Sequence, residues 1–323
     1  MAEGHGTRRA IALDLGGTRY RVAVGTPDGE IEWRVSRATD ADRGRDQVLK
    51  GMFAAVDEAV GRLGARSDLS GIGIGAPGPL DPWEGVLYNP PNLPGWDSLP
   101  LKKLFEDRYR VPTHVANDAN LAAMGEHAFG AGRGFQHVVY VTVSTGIGAG
   151  IIIDDRLVLG ARGYAGELGH MTIDMRGPLC RCGNTGCLEA IASGTAIATQ
   201  ARELVGKGAR TSLSRIPPEQ LTAKTVAEAA YEGDEVAREL MRNAGQALGV
   251  GMVNVAHLFN PQRIILGGGV SMNGGPLLWD PMRETVRARA IATIQRDMEI
   301  VSAGLADDSG LLGAVAMVLS RDS

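Results

Sequence analysis

Three cysteines fall within one short string, Cys180-Arg181-Cys182-Gly183-Asn184-Thr185-Gly186-Cys187, and the chain has no others. Three thiolates so close together, on a turn that the glycines allow to be tight, supply most of a tetrahedral shell for zinc. A fourth ligand is needed, and His170 is the nearest histidine. Such clustering suits a metal site in a reducing compartment better than a disulfide framework; the bland alternative is three incidental reduced cysteines. A closed shell of Cys180, Cys182, Cys187 and His170 leaves no open coordination position, so the expected zinc is structural rather than catalytic. With one imidazole nitrogen on the metal, the other carries its hydrogen in a fixed direction, and the metal becomes a rigid mount for a ligand-binding histidine.

Two glycine-containing turns carry a second chemistry. Asp14-Leu15-Gly16-Gly17-Thr18 joins two apolar runs; glycines there let backbone N–H groups converge on an anion, and the Thr18 hydroxyl adds a donor. Asp14, at the strand end, is a candidate to hold water on a Mg²⁺ ion. Ser144-Thr145-Gly146-Ile147-Gly148 repeats the pattern, with Thr145 and Gly146 as candidate phosphate contacts. A plain hairpin turn is the competing reading of each. Neither is a Walker loop, because no Gly-x-x-x-x-Gly-Lys-Ser/Thr string occurs, and the glycines from Gly146 to Gly150 sit inside a hairpin rather than before a helix. Gly267-Gly268-Gly269 follows a buried-type strand and is expected to lead into a small polar loop; a flat base or ribose could lie against such a backbone, or the glycines could simply be a strand exit.

The elements that must position these groups read as an α/β pattern. Strands are expected at Arg9–Leu15, Arg21–Gly25, Gly71–Ala76, His137–Val143, Ala149–Ile153 and Arg263–Leu266, several of them continuous apolar runs of the kind covered on both faces. Helices are expected at Val48–Leu63, Ala119–Phe129, Leu188–Leu204, Thr225–Tyr231, Glu235–Leu258 and Leu311–Leu319. The stretch 77–100 is dense in proline, 163–189 is irregular, and 207–224 reads as a mobile surface insertion. Ile11–Val24 and Val139–Ile152 echo each other as strand, polar turn, strand, which fits two similar lobes facing across a cleft.

The 323 residues are enough for one large or two medium domains, and 44% hydrophobic with 22% charged residues is ordinary for a globular chain. A net charge of −4 argues against nucleic acid as a partner. No membrane partner is expected either, since the apolar run Leu311–Leu319 is about half of what a bilayer crossing needs. The opening MAEGHGTRRA lacks the apolar centre of a secretory leader, so the cytoplasm is the expected location.

Taken together, Asp14-Leu15-Gly16-Gly17-Thr18, Gly75-Ala76-Pro77-Gly78, Asn117-Asp118, Ser144-Thr145-Gly146-Ile147-Gly148, Glu167-Leu168-Gly169-His170, the cysteine string running on to Glu189, and Gly267-Gly268-Gly269 resemble the ROK family of sugar kinases, sugar-responsive repressors and relatives. The resemblance runs from about Ala10 to Leu319; the zinc string with Glu-x-Gly-His is its specific part. It implies the actin-like, ribonuclease-H-like fold: two α/β lobes with an interlobe cleft, a small lobe of 1–117 plus 308–323 and a large lobe of 118–307 with the zinc loop. It further implies ATP with catalytic Mg²⁺, and assembly as a homodimer or homotetramer. Asp118 would be the general base on the attacking sugar hydroxyl. Asn92, Asn117, Glu167, His170 and Glu189 would hydrogen-bond the hexose. Asp14, Gly16, Gly17, Thr18, Thr145 and Gly146 would attend the phosphates, and Gly267, Gly268 and Gly269 the adenosine. Arg19 stands where many relatives carry lysine, a small departure.

Asp118 also suits a helix N-cap, and Glu167 and Glu189 suit a solvated surface. Closure of the lobes on the sugar is expected to exclude water, with Pro90–Pro94 as a moving rim. Glucose is the favoured substrate, because the full zinc string matches the bacterial glucokinase group. N-acetylmannosamine or another hexose, and polyphosphate as an additional donor, are the alternatives within the kinase reading. A sugar-responsive repressor would carry an N-terminal helix-turn-helix, for which Arg9 as the first strand residue leaves no room. A non-catalytic sugar-binding module is disfavoured by the intact Asn117-Asp118 pair and both turns.

Overall fold

A computed structural model of the chain describes residues 8–320. The opening segment on which the expectation about a leader rests lies largely outside the described residues. Among the described residues no helix is long and apolar enough to cross a membrane. The chain divides into two compact units, one of residues 1–134, 157–165 and 304–323, the other of residues 135–156 and 166–303.

The first unit is built on a five-stranded sheet: β1 (Arg9–Leu15), β2 (Arg19–Gly25), β3 (Ile31–Ala38), β4 (Leu69–Ala76) and β5 (Thr113–Asn117), in the order β3-β2-β1-β4-β5. β1 pairs antiparallel with β2 and parallel with β4, which in turn pairs parallel with β5. β1 reads Ala-Ile-Ala-Leu because both faces are covered. Ile11 and Leu13 point into a core with Val48, Met52 and Val56 of helix α1 (Arg45–Val60) and Phe105 of α2 (Leu101–Tyr109). Ala10 and Ala12 face the closing helix, Ser309–Leu319, through Leu311, Val315 and Val318. β3 was not among the expected strands, yet its Ile-Glu-Trp-Arg-Val alternation carries the period of an edge strand with Trp33 and Val35 turned to the core.

Helix α3 (Asp118–Phe129) lies so close to the closing helix that a methyl on Gly125 would strike the Ser309 carbonyl and one on Gly313 would strike the Leu121 carbonyl. This packing keeps α3 in the first unit, which therefore extends to Gly134 rather than ending at Asn117, and which takes the chain back at Gly304 rather than at 308.

The second unit repeats the first unit's sheet order. β6 (Val138–Val143) and β7 (Ile147–Ile153) form an antiparallel hairpin, the short strand Arg156–Leu157 flanks β7, and β8 (Arg263–Gly267) and β9 (Glu299–Ser302) continue in parallel from β6. Each unit thus has a hairpin whose first strand pairs with a parallel strand, the arrangement foreshadowed by the sequence echo.

The helices of this unit depart from expectation in two places. The single helix expected over Leu188–Leu204 is two, α4 (Leu188–Ala192) and α5 (Gly194–Gly206), because Ser193 turns extended and its hydroxyl caps α5 by accepting from the Ala196 N–H at 3.1 Å. After α6 (Ala223–Tyr231) and α7 (Glu235–Phe259) comes a helix where a polar loop was expected, α8 (Gly269–Arg289). Its Gly275, at φ 53°, breaks the helical path before Pro276, so its sequence reads as loop while its backbone is two helical pieces laid end to end. Residues 207–224 are also more than a surface excursion: they contain the single turns Ser212–Arg215 and Pro218–Gln220 and bury Leu213 and Leu221 completely.

Candidate active site and metal centre

The cysteine string folds back on 171–174. Ile173 N–H donates to the Gly186 carbonyl at 2.9 Å, Leu188 N–H to the Met171 carbonyl at 3.0 Å, and the Asn184 side-chain amide to the Thr172 hydroxyl at 2.8 Å. Gly186 takes φ +73° with the Asp174 carbonyl where a side chain would start, so glycine is required there. The result gathers the four expected ligands. His170 Nδ1 is 3.7 Å from Cys180 Sγ, Cys182 Sγ is 3.7 Å from Cys187 Sγ, and the four donor atoms all lie within 4.8 Å of one another. Tetrahedral Zn–S bonds of about 2.3 Å set neighbouring sulfurs about 3.8 Å apart, so the spacing fits a zinc ion and is too wide for a disulfide. Cys187 is fully buried, and burial, followed by its contacts with the neighbouring thiols, pushes its thiol up to about 11. The exposed Cys182 thiol is lowered, chiefly by a backbone hydrogen bond from Asn184. Because Nδ1 faces the sulfurs, the outward nitrogen of His170 is Nε2, which stands 3.9 Å from Glu167 Oε2.

The same histidine-bearing turn is fastened to the second glycine turn, since Gly169 lies against the Ile147 carbonyl with no room for a Cβ. Glu189, in the first turn of α4, reaches the same place: its Oε2 accepts from the Ile147 N–H at 2.8 Å and lies over Gly146. The start of α5 closes the other side, with Gly194 N–H donating to the Ser144 carbonyl at 2.7 Å and Thr195 N–H to the Thr145 carbonyl at 3.3 Å. One strand turn therefore anchors the metal cluster, a carboxylate and a helix start.

Beyond that turn is a cavity of about 680 Å³, a size suited to a small organic ligand. Ser144 and Thr145 line one part, Thr195 and Ala198 of α5 another, Lys224 and Tyr231 of α6 and Gly269 and Asn273 of α8 the rest, with Leu221 from the segment before α6. Of the residues expected to serve a nucleotide, Thr145 and Gly269 line this cavity. Gly146 is covered by Glu189; Gly267 and Gly268 stand behind the wall, packed against Tyr140 and against Thr142 and Val143. Sequence reasoning missed Thr195, Lys224, Tyr231 and Asn273, which come from α5, α6 and α8 and share no motif. It also missed Arg202, which holds the Pro218 and Leu221 carbonyls at 2.7 and 2.8 Å and so fixes one wall.

In the first unit, the Asp14 turn is closed by Gly16 N–H donating to the Arg19 carbonyl at 3.0 Å and held by the Thr39 hydroxyl donating to the Gly16 carbonyl at 2.6 Å. Asp14 Oδ2 accepts from Arg21 Nη2 at 2.6 Å and Nε at 3.1 Å, and Arg21 Nη1 donates to the Asp307 carbonyl at 2.7 Å. Asn92 sits directly beside Gly17, a proximity that no motif announced, on a loop seated by the fully buried Leu93 and Trp96. At the start of α3 the cap is Asn117 and not Asp118: Asn117 Oδ1 accepts from the N–H groups of Ala119 at 2.8 Å and Asn120 at 3.2 Å. Asp118 is the first helical residue, exposed, with Oδ1 2.8 Å from the Ala119 N–H.

The sequence model of the ROK family matches residues 10–321. The glucokinase of Thermotoga maritima is 35% identical over 97% of this chain and 98% of its own length. The xylose repressor of Caldicellulosiruptor bescii is 31% identical over 96% of this chain and 78% of its own length. Among solved structures, a ROK family glucokinase from Streptomyces griseus in complex with glucose and AMPPNP superposes with a TM-score of 0.78 at 35% identity, covering 98% of this chain and 100% of that one.

Proposed function

The chain belongs to the ROK family and has its actin-like fold, and from that membership we propose that it is an ATP-dependent sugar kinase whose preferred acceptor is glucose and whose product is glucose 6-phosphate. The observation that carries the reading is the shared anchorage in the second unit: the metal cluster, Glu189 and the cavity wall are all fastened to the turn at Ser144–Gly148. A turn that borders a nucleotide-sized cavity on one side and carries a carboxylate and a mounted imidazole on the other suits a reaction joining a phosphate donor to a polyhydroxylated acceptor.

In this reading Cys180, Cys182, Cys187 and His170 Nδ1 hold a structural zinc, which fixes the loop and the direction of His170 Nε2. Nε2, Glu167, Glu189 and Asn92 bind hydroxyls of the sugar. Asn117 joins them through its amide nitrogen, since its oxygen is committed to capping α3. Asp118 takes the proton from the attacking hydroxyl. Thr18 and Thr145, with the backbone of Gly17, attend the phosphates, since the Gly16 N–H is spent on the Arg19 carbonyl and Glu189 covers Gly146; the cavity beside Gly269 holds the nucleoside. Magnesium bound with the nucleotide supplies charge neutralisation; Asp14 offers it Oδ1, because Oδ2 is taken by Arg21. The assembly is a homodimer or homotetramer in the cytoplasm, where the three thiols stay reduced.

The purified protein should release ADP with Mg-ATP and glucose and show lower kcat/KM for N-acetylmannosamine and for xylose, and metal analysis should find one zinc per chain. Asp118→Asn should lower kcat by about 10²–10⁴-fold with Tm unchanged. The relation to a xylose repressor gives a second reading, a sugar-responsive regulator. Sugar binding by calorimetry without ADP release from ATP in the presence of any sugar would favour that reading and remove the kinase.

A further inference from the structure

Glu126 is a fully buried carboxylate that neither the phosphate turns nor the metal cluster uses. It lies about two turns along α3 from Asp118. Its Oε2 accepts from the N–H groups of Ala131 at 2.8 Å and Gly304 at 3.0 Å, and its Oε1 from Leu305 N–H at 2.9 Å. These partners are not arbitrary stretches of backbone. The chain first leaves this unit after Gly134 and last re-enters it at Gly304, so one carboxylate grips both the departing and the returning strand. The surroundings are built to its outline: a methyl on Gly130 would strike its Oε2, and a Cβ on Gly304 would meet Ala131 N at 3.2 Å.

A buried carboxylate is costly unless donors compensate it, and three backbone N–H groups aimed at one side chain are strong, charge-assisted donors. Stabilising the end of α3 would need only the bond to Ala131, five residues on. The two bonds to residues 178 and 179 positions away tie the return strand to the same helix. We propose that Glu126 is a positioning residue for the reaction: it clamps both strands to α3, the helix that begins with Asp118, so that the base keeps its place when the rest of the chain responds to ligands. The proposal rests on the kinase reading for its effect on turnover, but the clamp itself can be measured without it.

Glu126→Gln keeps shape and one oxygen but turns an NH₂ toward a backbone N–H. The expected result is a fall in kcat of about 10- to 100-fold, the scale of a misplacement of about 1 Å, with the dissociation constants of glucose and AMPPNP changed less than about twofold. Hydrogen exchange should quicken together at Ala131, Gly304 and Leu305 and stay unchanged in β8. Should that variant fold poorly, Gly304→Ala, which leaves the carboxylate intact and wedges the two strands apart, should show the same loss confined to kcat. An unchanged kcat with the three amides deprotected overturns the positioning role, as does an equal loss of turnover and of both affinities. If the wild-type protein phosphorylates no sugar, the kinase reading fails separately; joint deprotection of the three amides would then still uphold the clamp, and independent exchange would overturn it.

Discussion

Two irregular segments of the second unit, residues 171–187 and 207–224, reach definite conformations by opposite means. The first has two isolated β-bridges, exposes Met175 and Leu179, and is gathered around four donor atoms spaced for a metal. The second buries Leu213 and Leu221 and is tied by Asp234, which accepts from the Thr211 hydroxyl at 2.8 Å, Ser212 N–H at 2.5 Å and Ser212 hydroxyl at 2.8 Å while also capping α7 through Ala237 N–H at 2.9 Å. Where little apolar surface is buried, a loop depends on one concentrated interaction. Where two leucines insert into a core, a single carboxylate suffices to set the rest. The first should behave as all-or-none in its metal, the second as graded in its bonds.

On the zinc reading proposed above, the largest effect expected on this contrast follows chelation of the metal or Cys187→Ser. A structural zinc site is worth on the order of 10 kcal/mol. Its loss should raise the KM for glucose about 100-fold or more while AMPPNP binding to the cavity survives, measured by calorimetry before and after chelation. A loop that kept its glucose affinity without metal would erase the distinction. Next, Asp234→Ala should cost about 2–4 kcal/mol of stability, from one lost cap and three lost hydrogen bonds. It should also raise the KM for ATP about tenfold, the equivalent of ~1.4 kcal/mol, because Leu221 and Lys224 line the cavity, with glucose KM unchanged.

The smallest effect is in pH. Burial alone would raise the Asp234 carboxyl, but the N–H groups of Ala237 and Ser212, with the Thr211 and Ser212 hydroxyls, outweigh it and hold it at about 2. A carboxylate depressed in the folded state contributes stability above its unfolded value of about 4. That contribution shrinks as pH falls from about 4 and is gone below about 2. Amide exchange at Ser212 should therefore quicken across that window in the wild type and show no such step in Asp234→Ala.

Much of this was legible in the residues. The cysteine string and His170 announced a cluster because metal ligands are specified by residue type and crowding. The two hairpins showed as an echo because both need the same run of apolar strand, polar turn and apolar strand. What escaped depended on partners distant in sequence. Nothing local says that Asp234 faces Thr211 and Ser212, that Asn92 lies beside Gly17, or that Tyr231 and Asn273 share a cavity. α8 was hidden by its own glycines and prolines, whose propensities were overridden by packing against α7. The unit boundary was missed for a similar reason, since the contact that holds α3 is made with Ser309 and Gly313, far away in the sequence.

The closing helix, Ser309–Leu319, covers one face of a sheet whose first strand begins at Arg9. During synthesis that face has no lid until residues 309–319 have emerged, whereas the second unit is finished at residue 303 apart from one short detour. Domains fold as units while the ribosome advances. Here the unit that holds β1 waits for a helix that follows the other unit in sequence, and in the interval its alanine-lined face is the surface a chaperone would need to shield.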